Sequence, residues 1–266
     1  MRTPWTYARY GLLSAAVLVA ALAGKAAAET VDPAEIPAGH LGVATESAAA
    51  PQGPREAALL ALVNMVWADA SATWQAIFNT LPKDRVVPQI NVVPKVTASH
   101  CYGLYINSGP VYCSGNSTVF VSLQELDKLA QHFDAGANAA LAFLMAHEFG
   151  HHIQMSAGRF RLLSQMIRKD PARRREYVMR LELEADCLAG VWAGRSQSFA
   201  ATQRVKAELL QALALVGDDH VQVAASGPAD PANFWHGTSE QRAHWFYTGQ
   251  KAENPGACDV LTAAEF

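Results

Sequence analysis

The chain has 266 residues, of which 50% are hydrophobic and 17% are charged, and its formal net charge is −3. This length and composition are sufficient for one well-packed domain and do not require two. Because the charge balance is slightly acidic, there is no bulk electrostatic attraction for nucleic acid or for an anionic membrane, and neither is expected as a partner.

The first residues of the chain are typical of a secretory signal. Arg2 and Arg9 precede the apolar segment 11–24, and an Ala-x-Ala cleavage site ends at Ala28. A helix of 14 residues spans about 21 Å, which is short of a hydrocarbon core of roughly 30 Å. We therefore expect residues 1–28 to be cleaved and the mature protein to be exported, periplasmic or secreted, without stable membrane insertion. If the segment were not cleaved, it would anchor the protein in the membrane.

The part of the chain after the signal begins with a predicted linker. Residues 29–54 are rich in alanine, proline and glycine and lack an amphipathic period, so we expect them to be flexible and to precede one domain at residues 55–266. Apolar residues at helical spacing predict a core helix over 55–80. The segments 86–96 and 118–122 are predicted strands, the first an edge strand because it contains two prolines. The second strand either binds an extended peptide through its main chain or is purely structural.

Four cysteines, Cys101, Cys113, Cys187 and Cys258, allow three disulfide connectivities in an exported protein. Pairing of Cys101 with Cys113 is the local choice, and it would close a loop rich in turn residues. Cys187 would then pair with Cys258 and tie the C-terminal tail to a helix. A cysteine acting as metal ligand or nucleophile is the less favoured alternative, because the sequence contains no Cys-x-x-Cys spacing.

The pattern His-Glu-x-x-His is formed by His147, Glu148 and His151, on a buried helix predicted over residues 137–155. Residues four apart on a helix lie about 40° apart around its axis, so the imidazoles of His147 and His151 can converge on one zinc ion. Glu148 flanks that face, where its carboxylate can act as a general base for hydrolysis without ligating the metal. The adjacent His152 projects away from this face, and a structural role is favoured for it.

A second helix, which includes residues 180–193, supplies the third candidate ligand. Glu182 and Glu184 lie about 200° apart around this helix, so only one of them can face the metal. Asp186 shares a face with Glu182, and a zinc-bound histidine usually donates its other ring N–H to a carboxylate. We therefore expect Glu182 to ligate the metal and Asp186 to accept a hydrogen bond from His147. Glu184 is expected to point elsewhere.

Four further segments complete the predicted fold. Residues 123–133 form a helix or an irregular connector, and helices are predicted over 159–168, over 199–216, and from an N-cap at Thr238 or Ser239 to Gly249. The polar residues 218–220 favour a solvated turn over an additional cation site. The basic residues within 168–175 are interleaved with acidic ones and favour a solvated helix face over an anionic partner. The fold is therefore expected to be α+β, mostly helical, with a small edge sheet.

Several of these segments resemble one known family. The similar segments are His-Glu-Phe-Gly-His-His-Ile-Gln at 147–154, residues 181–193, residues 236–242 with Trp245 and Phe246, and more weakly Cys101 with Tyr112 and Cys113. They resemble the bacterial family called putative neutral zinc metallopeptidases. The resemblance implies a compact zincin domain of the gluzincin kind, in which two histidines of one helix and a glutamate of the next bind Zn²⁺. This agrees with Glu182 as the third ligand.

A zinc-dependent peptidase acting on a peptide or protein substrate is the leading hypothesis for function. Glu148 would take a proton from a zinc-activated water and deliver it to the leaving amine. A donor must also stabilise the oxyanion, and His236 is the first candidate. The residues considered after it are Tyr247, His244 and Arg242. Helix capping or packing is the alternative role for His236.

Two hypotheses from other classes remain open. One is a catalytically silent zincin that keeps the fold and the metal but serves as a binding or assembly factor of the cell envelope. The presence of Glu148 argues against it, because a metal-only scaffold does not need that carboxylate. The other is a zinc hydrolase that acts on a non-peptide ester or amide of the envelope, which would use the same ligands.

Overall fold

A computed structural model describes residues 50–101, 109–133, 136–196 and 203–264. The predicted signal at 1–28 and all but the end of the predicted linker at 29–54 lie outside these described residues. The described chain is mostly helical and contains one small sheet, which confirms the expected α+β class. The connector after the sheet is helical along its whole length, Leu123–Phe133, which resolves the alternative left open for it.

The helices of the described chain range from one turn to nearly seven. They are α1 (Pro54–Ile77), α2 (Lys83–Val86), α3 (Leu123–Phe133), α4 (Ala137–Ser156), α5 (Arg159–Lys169), α6 (Arg174–Arg195), α7 (Gln203–Val216), α8 (Asp218–Ser226) and α9 (Ser239–Ala252). The short α8 replaces the solvated turn that was predicted at 218–220, a correction that matters for the site below.

The sheet has three strands, β1 (Gln89–Val92), β2 (Val111–Cys113) and β3 (Thr118–Val121), in the order β1-β3-β2. β1 runs parallel to β3 and is an edge strand, as its flanking prolines predicted. β2 runs antiparallel to β3 on the other side. Since β3 is paired on both sides, its main chain is not free to bind a peptide, and its role is structural.

The helix α4 lies at the centre of the molecule and packs against α1, α3, α6 and α7. Its buried residues include Phe143 and Phe149, and Trp192 of α6 is buried beside them. Burying a side chain of this size contributes roughly 1.5–3 kcal/mol. The indole N–H of Trp192 donates to Asp69 of α1 at 2.7 Å, so its one polar group is satisfied in the core. The helix that carries the His-Glu-x-x-His pattern is therefore held rigidly on most of its sides.

Among the described residues, α1 is long and apolar enough to cross a membrane by length and composition. One of its faces is nevertheless buried in the core, through Leu59, Val63, Val66, Ala70 and Trp74. This burial is what an amphipathic core helix shows, in agreement with the core helix predicted over 55–80.

Two disulfides link the pairs that were predicted, Cys101 with Cys113 and Cys187 with Cys258. Their Cα atoms lie 5.4 Å and 5.5 Å apart, within the usual range for this bond. The first joins the end of β2 to the segment before it, and the second joins α6 to the chain that follows α9. Disulfides of this kind are typical of exported proteins.

The closest helix contact is between α6 and α9, and it depends on glycine. A Cβ atom added to Gly249 of α9 would lie 1.9 Å from the carbonyl oxygen of Cys187, and one added to Gly190 of α6 would lie 1.9 Å from that of Phe246. The helix does not end at Gly249, as had been predicted, but continues to Ala252. It begins with a capping box in which Thr238 is the N-cap.

Replacing Gly249 with alanine is expected to lower the free energy of unfolding by about 1–3 kcal/mol, because the added methyl group forces the α6 and α9 backbones apart. The midpoint of denaturant unfolding, measured with both disulfides intact, tests this. Gly53→Ala is the control, since a Cβ atom there meets nothing within 4 Å, and we expect it to cost less than about 1 kcal/mol. Equal effects of the two substitutions would contradict close packing at Gly249.

Candidate metal and catalytic site

The structure brings the three predicted metal ligands together. His147 and His151 project from one face of α4, and Glu182 faces them from α6. One potential ligand atom from each residue lies within 4.8 Å of the others. The carboxylate oxygen Oε2 of Glu182 is 3.1 Å from Nε2 of His147 and 3.2 Å from Nε2 of His151.

These distances fit a zinc ion. Zinc binds histidine nitrogen and carboxylate oxygen at about 2.0–2.2 Å in a tetrahedral arrangement, which places neighbouring donor atoms roughly 3.4 Å apart. The oxygen of Glu182 has about this separation from both imidazole nitrogens. Two nitrogens and one carboxylate oxygen are also a donor set that zinc uses in catalytic sites, where the fourth position stays open. The chemistry and the spacing of these residues therefore suit zinc.

Hydrogen bonds at Nδ1, the ring nitrogen that faces away from Glu182, orient the imidazoles of both His147 and His151. Nδ1 of His147 lies 2.7 Å from Oδ1 of Asp186, which is the contact expected from the sequence. Nδ1 of His151 lies 2.8 Å from Oε1 of Gln154, whose amide donates to the carbonyl oxygen of Leu181 at 2.7 Å. Because each Nδ1 faces an acceptor, each Nε2 is left to face Glu182 and a metal.

Asp186 has a second partner that the sequence analysis had assigned to another role. The guanidinium of Arg242, on α9, donates to both of its carboxylate oxygens at 2.8 Å. Burial would raise the pKa of Asp186, but Arg242 and His147 lower it overall, so the fully buried Asp186 stays ionised. Arg242 also donates to the carbonyl oxygen of Val216 at 2.9 Å. Arg242 thus neutralises Asp186, and it is not the oxyanion donor for which the sequence made it a candidate.

Glu148 lies beside the three ligands without joining them. Its Oε2 accepts a hydrogen bond of 2.7 Å from the main-chain N–H of Tyr112, in β2. The hydroxyl of Tyr112 lies 3.1 Å from Nδ1 of His152, one turn further along α4. Burial lowers the pKa of His152 to about 4 and raises that of Tyr112 to about 12, so the hydroxyl donates to a neutral imidazole. Tyr112 of β2 therefore forms two hydrogen bonds with α4, one to Glu148 and one to His152, and the first orients the carboxylate of Glu148.

His236 lies in the loop before α9. Burial acts to raise the pKa of Glu182, but His151 and His147 hold it well below its usual value, with a smaller contribution from His236. Asp218, at the start of α8, orients this loop. One of its oxygens accepts hydrogen bonds from the main-chain N–H groups of Trp235 and His236, both at 2.6 Å, and of Gly237 at 3.2 Å. Its other oxygen is 3.3 Å from Nδ1 of His236. Asp218, which the sequence analysis placed in a solvated turn, instead positions His236.

The remaining candidates lie elsewhere. Glu184 is buried and forms an ion pair with Arg159 on the opposite side of α6, so it points away from the ligands as expected. His244 is exposed on α9, and Tyr247 packs against the main core. Within the described ranges, neither residue forms a hydrogen bond or ion pair with His147, His151 or Glu182.

Comparison with known proteins extends the resemblance seen in the sequence. A family model described as Putative neutral zinc metallopeptidase matches residues 8–261. The uncharacterized protein YpfJ of Escherichia coli (strain K12) is 30% identical over 212 residues, covering 78% of this chain and 73% of that protein. An uncharacterized protein of Mycobacterium tuberculosis (strain ATCC 25618 / H37Rv) is 31% identical over 173 residues, covering 59% of this chain and 56% of that protein. No solved structure matches the chain significantly.

Replacing Asp186 with asparagine is expected to weaken zinc binding by about 10- to 100-fold, because His147 loses the carboxylate that orients it and increases its basicity. The dissociation constant for zinc, measured by competition with a chromogenic chelator, tests this. Glu176→Gln is the matched control, since Glu176 lies on the same helix but pairs with Arg173 and Arg180. Unchanged affinity in folded Asp186→Asn protein would show that the contact with His147 does not support the metal.

Proposed function

The chain belongs to the Putative neutral zinc metallopeptidase family, and from this premise we propose that it is a zinc-dependent peptidase whose metal is held by His147, His151 and Glu182. The convergence of these three side chains, with donor atoms at 3.1 Å and 3.2 Å from Glu182, carries the proposal. A peptide or protein is the proposed substrate. The two disulfides support an exported protein that acts in the periplasm or outside the cell.

Zinc bound at this site would polarise a scissile carbonyl group and make water a nucleophile near neutral pH. Glu148 is the proposed general base. Glu148 follows His147 in sequence, and its Oε2 accepts a hydrogen bond from the main-chain N–H of Tyr112. This bond holds the carboxylate in place beside the candidate ligands, where it can accept the proton of the attacking water. The same carboxyl group then delivers that proton to the nitrogen of the leaving amine.

His236 is the proposed donor that stabilises the negative charge that develops on the carbonyl oxygen as water adds to the carbonyl carbon. In this role the ring is the imidazolium form, in which Nδ1–H donates to Asp218 and Nε2–H is left to donate to the carbonyl oxygen. His236 is partly exposed, as a residue that meets a substrate must be. Donors that are fixed in advance in this way are among the larger contributions to catalysis.

The central test is Glu148→Gln. We expect turnover of an unstructured protein such as casein to fall by a factor on the order of 10²–10⁴, because the general base is removed, while zinc stays bound. Initial rates and zinc content, measured on the same preparations, give the two readouts. Glu182→Ala is the companion variant and is expected to lose both zinc and activity.

Two results would contradict this proposal in different ways. If wild-type and Glu148→Gln protein both bind one zinc and are equally inert toward a broad set of peptides, the protein is a metal-binding factor without peptidase activity. If the protein hydrolyses non-peptide esters or amides in a reaction that depends on Glu148 but leaves peptides intact, Glu148 is the general base as proposed. In that case the proposal that the substrate is a peptide is wrong.

His236→Ala is expected to lower kcat by about 10²-fold with a smaller effect on KM, because the interaction is made mainly in the transition state. Asp218→Asn should lower kcat less, since His236 is kept but its ring is less firmly oriented. Steady-state kinetics on one fluorogenic peptide compare them. His244→Ala is the control, because His244 is exposed and lies on α9 away from the ligands. A rise in KM alone for His236→Ala would assign it to substrate binding.

A further inference from the structure

A pair of side chains beside His236 has no part in the chemistry described above. Trp235 is 38% exposed, which is unusual for a large aromatic side chain in this structure. The guanidinium of Arg175 lies over its ring, 4.4 Å from the ring centroid, and donates to Oδ1 of Asn233 at 3.0 Å. Stacking on an aromatic face holds an arginine in one orientation and reduces the entropy it loses on binding a ligand.

Arg175 makes no direct ion pair among the described residues, and it is linked to the carboxylate of Asp230 only through Asn233, whose amide N–H donates to Asp230 at 2.6 Å. Arg173 and Arg180 both form ion pairs with Glu176, whereas in the described part of the chain no carboxylate pairs with Arg175. A guanidinium carries five N–H donors, and Asn233 uses one of them. The others remain available, in the planar arrangement that suits a carboxylate.

The position of Arg175 relative to the metal site follows from the geometry of α6. Arg175 precedes Glu182 by seven residues, which is about 20° short of two full turns, so both lie on one face of the helix. Seven residues correspond to about 10 Å along the axis. Trp235 contacts Arg175, while a Cβ atom on Gly237 would lie 3.1 Å from Leu183. The loop therefore runs along α6 from Arg175 toward Glu182, with His236 between.

We propose that Arg175 and Trp235 form a substrate subsite that binds a carboxylate group of the peptide, two or three residues from the scissile bond. An extended peptide rises about 3.3 Å per residue, so a distance of about 10 Å corresponds to this number of residues. The exposed part of the Trp235 ring would pack against the aliphatic portion of the bound residue. The inference rests on the proposed peptidase function and adds a preference for acidic substrates to it.

Binding to the Glu148→Gln protein loaded with zinc tests the subsite without relying on turnover. The probes are acetylated, amidated decapeptides of alanine and leucine, in pairs that carry one glutamate or one glutamine at the same position, with the position moved along the peptide. Calorimetry is expected to show the glutamate peptide binding about three- to fivefold more tightly at the best position. Adding Arg175→Gln should bring this ratio close to one, and Arg175→Glu should favour lysine instead.

Arg174→Gln is the matched control. Arg174 is exposed, precedes Arg175 on α6 and points about 100° away around the helix, so the same charge is removed without touching Trp235. The preference for glutamate should survive this change. A preference that persists equally in Arg175→Gln, or no preference at any position, would overturn the subsite, and neither result would bear on the effect of Glu148→Gln on casein.

Cleavage products of the wild-type protein, identified by mass spectrometry, locate the carboxylate relative to the scissile bond. Acidic residues are expected two or three positions from the cut on one side only. A second peptide set, without acidic side chains but with a free C-terminal carboxylate, separates the two sources of this group. If only these peptides gain affinity through Arg175, the subsite binds the chain terminus, and cleavage should occur two or three residues from it. If neither set gains affinity through Arg175, the subsite is wrong.

Discussion

The site depends on one buried charge, the carboxylate of Asp186. It lies on α6, contacts His147 of α4 and is paired with Arg242 of α9, so a single side chain joins the three helices that surround the candidate metal ligands. Removing an ion from water costs several kcal/mol, and this cost is offset only when the partners have good geometry. Arg242 supplies two hydrogen bonds of 2.8 Å. The orientation of His147 is therefore coupled to the position of α9.

That position is fixed by contacts far from the metal. Glycines at 190 and 249 allow the backbones of α6 and α9 to touch, which brings Arg242 within reach of Asp186. The disulfide from Cys187 holds the chain after α9 against α6. A bulky residue at either glycine would move the partner of Asp186 by an ångström or more, and a bidentate pair tolerates little of that. The close packing of α6 against α9 therefore also sets the orientation of His147 at the candidate metal site.

Local periodicity was sufficient to predict much of the site. Helical spacing alone placed His147 beside His151, and it placed Glu182 and Asp186 on one face of α6, opposite Glu184. The parts that were missed involve partners distant in sequence. Arg242 lies 56 residues after Asp186. The loop whose N–H groups donate to Asp218 lies 17–19 residues after Asp218. Local composition around such residues is equally compatible with a solvated turn or an exposed helix face, and only the packing of α9 and α8 distinguishes them.

The role of Gly249 and the strand order of the sheet also depend on contacts between residues that are distant in sequence. Gly249 follows an amphipathic segment, which is where a helix usually ends, yet here it serves a helix contact in the interior of α9. The strand β3 is β-branched and aromatic, which predicts a strand but not whether it lies at an edge or in the centre. Its central place is set by the pairing of β1, from residues 89–92, with residues 118–121. The pairing of β1 with β3 depends on both strands together, so neither strand's sequence alone predicts it.

One stripe of α6 combines the functions assigned to the site. Asp186, Glu182 and Arg175 are spaced by four and seven residues, so they lie on one face of the helix within about 20–40° of each other. Asp186 at one end of the stripe is fully buried, whereas Glu182, with 17% of its side chain exposed, and Arg175 are both partly exposed. The buried end can hold a charge that orients a ligand, because water is excluded there. The partly exposed Arg175 can exchange solvent for a substrate at a lower cost than a buried charge could, which is consistent with its place in the proposed subsite.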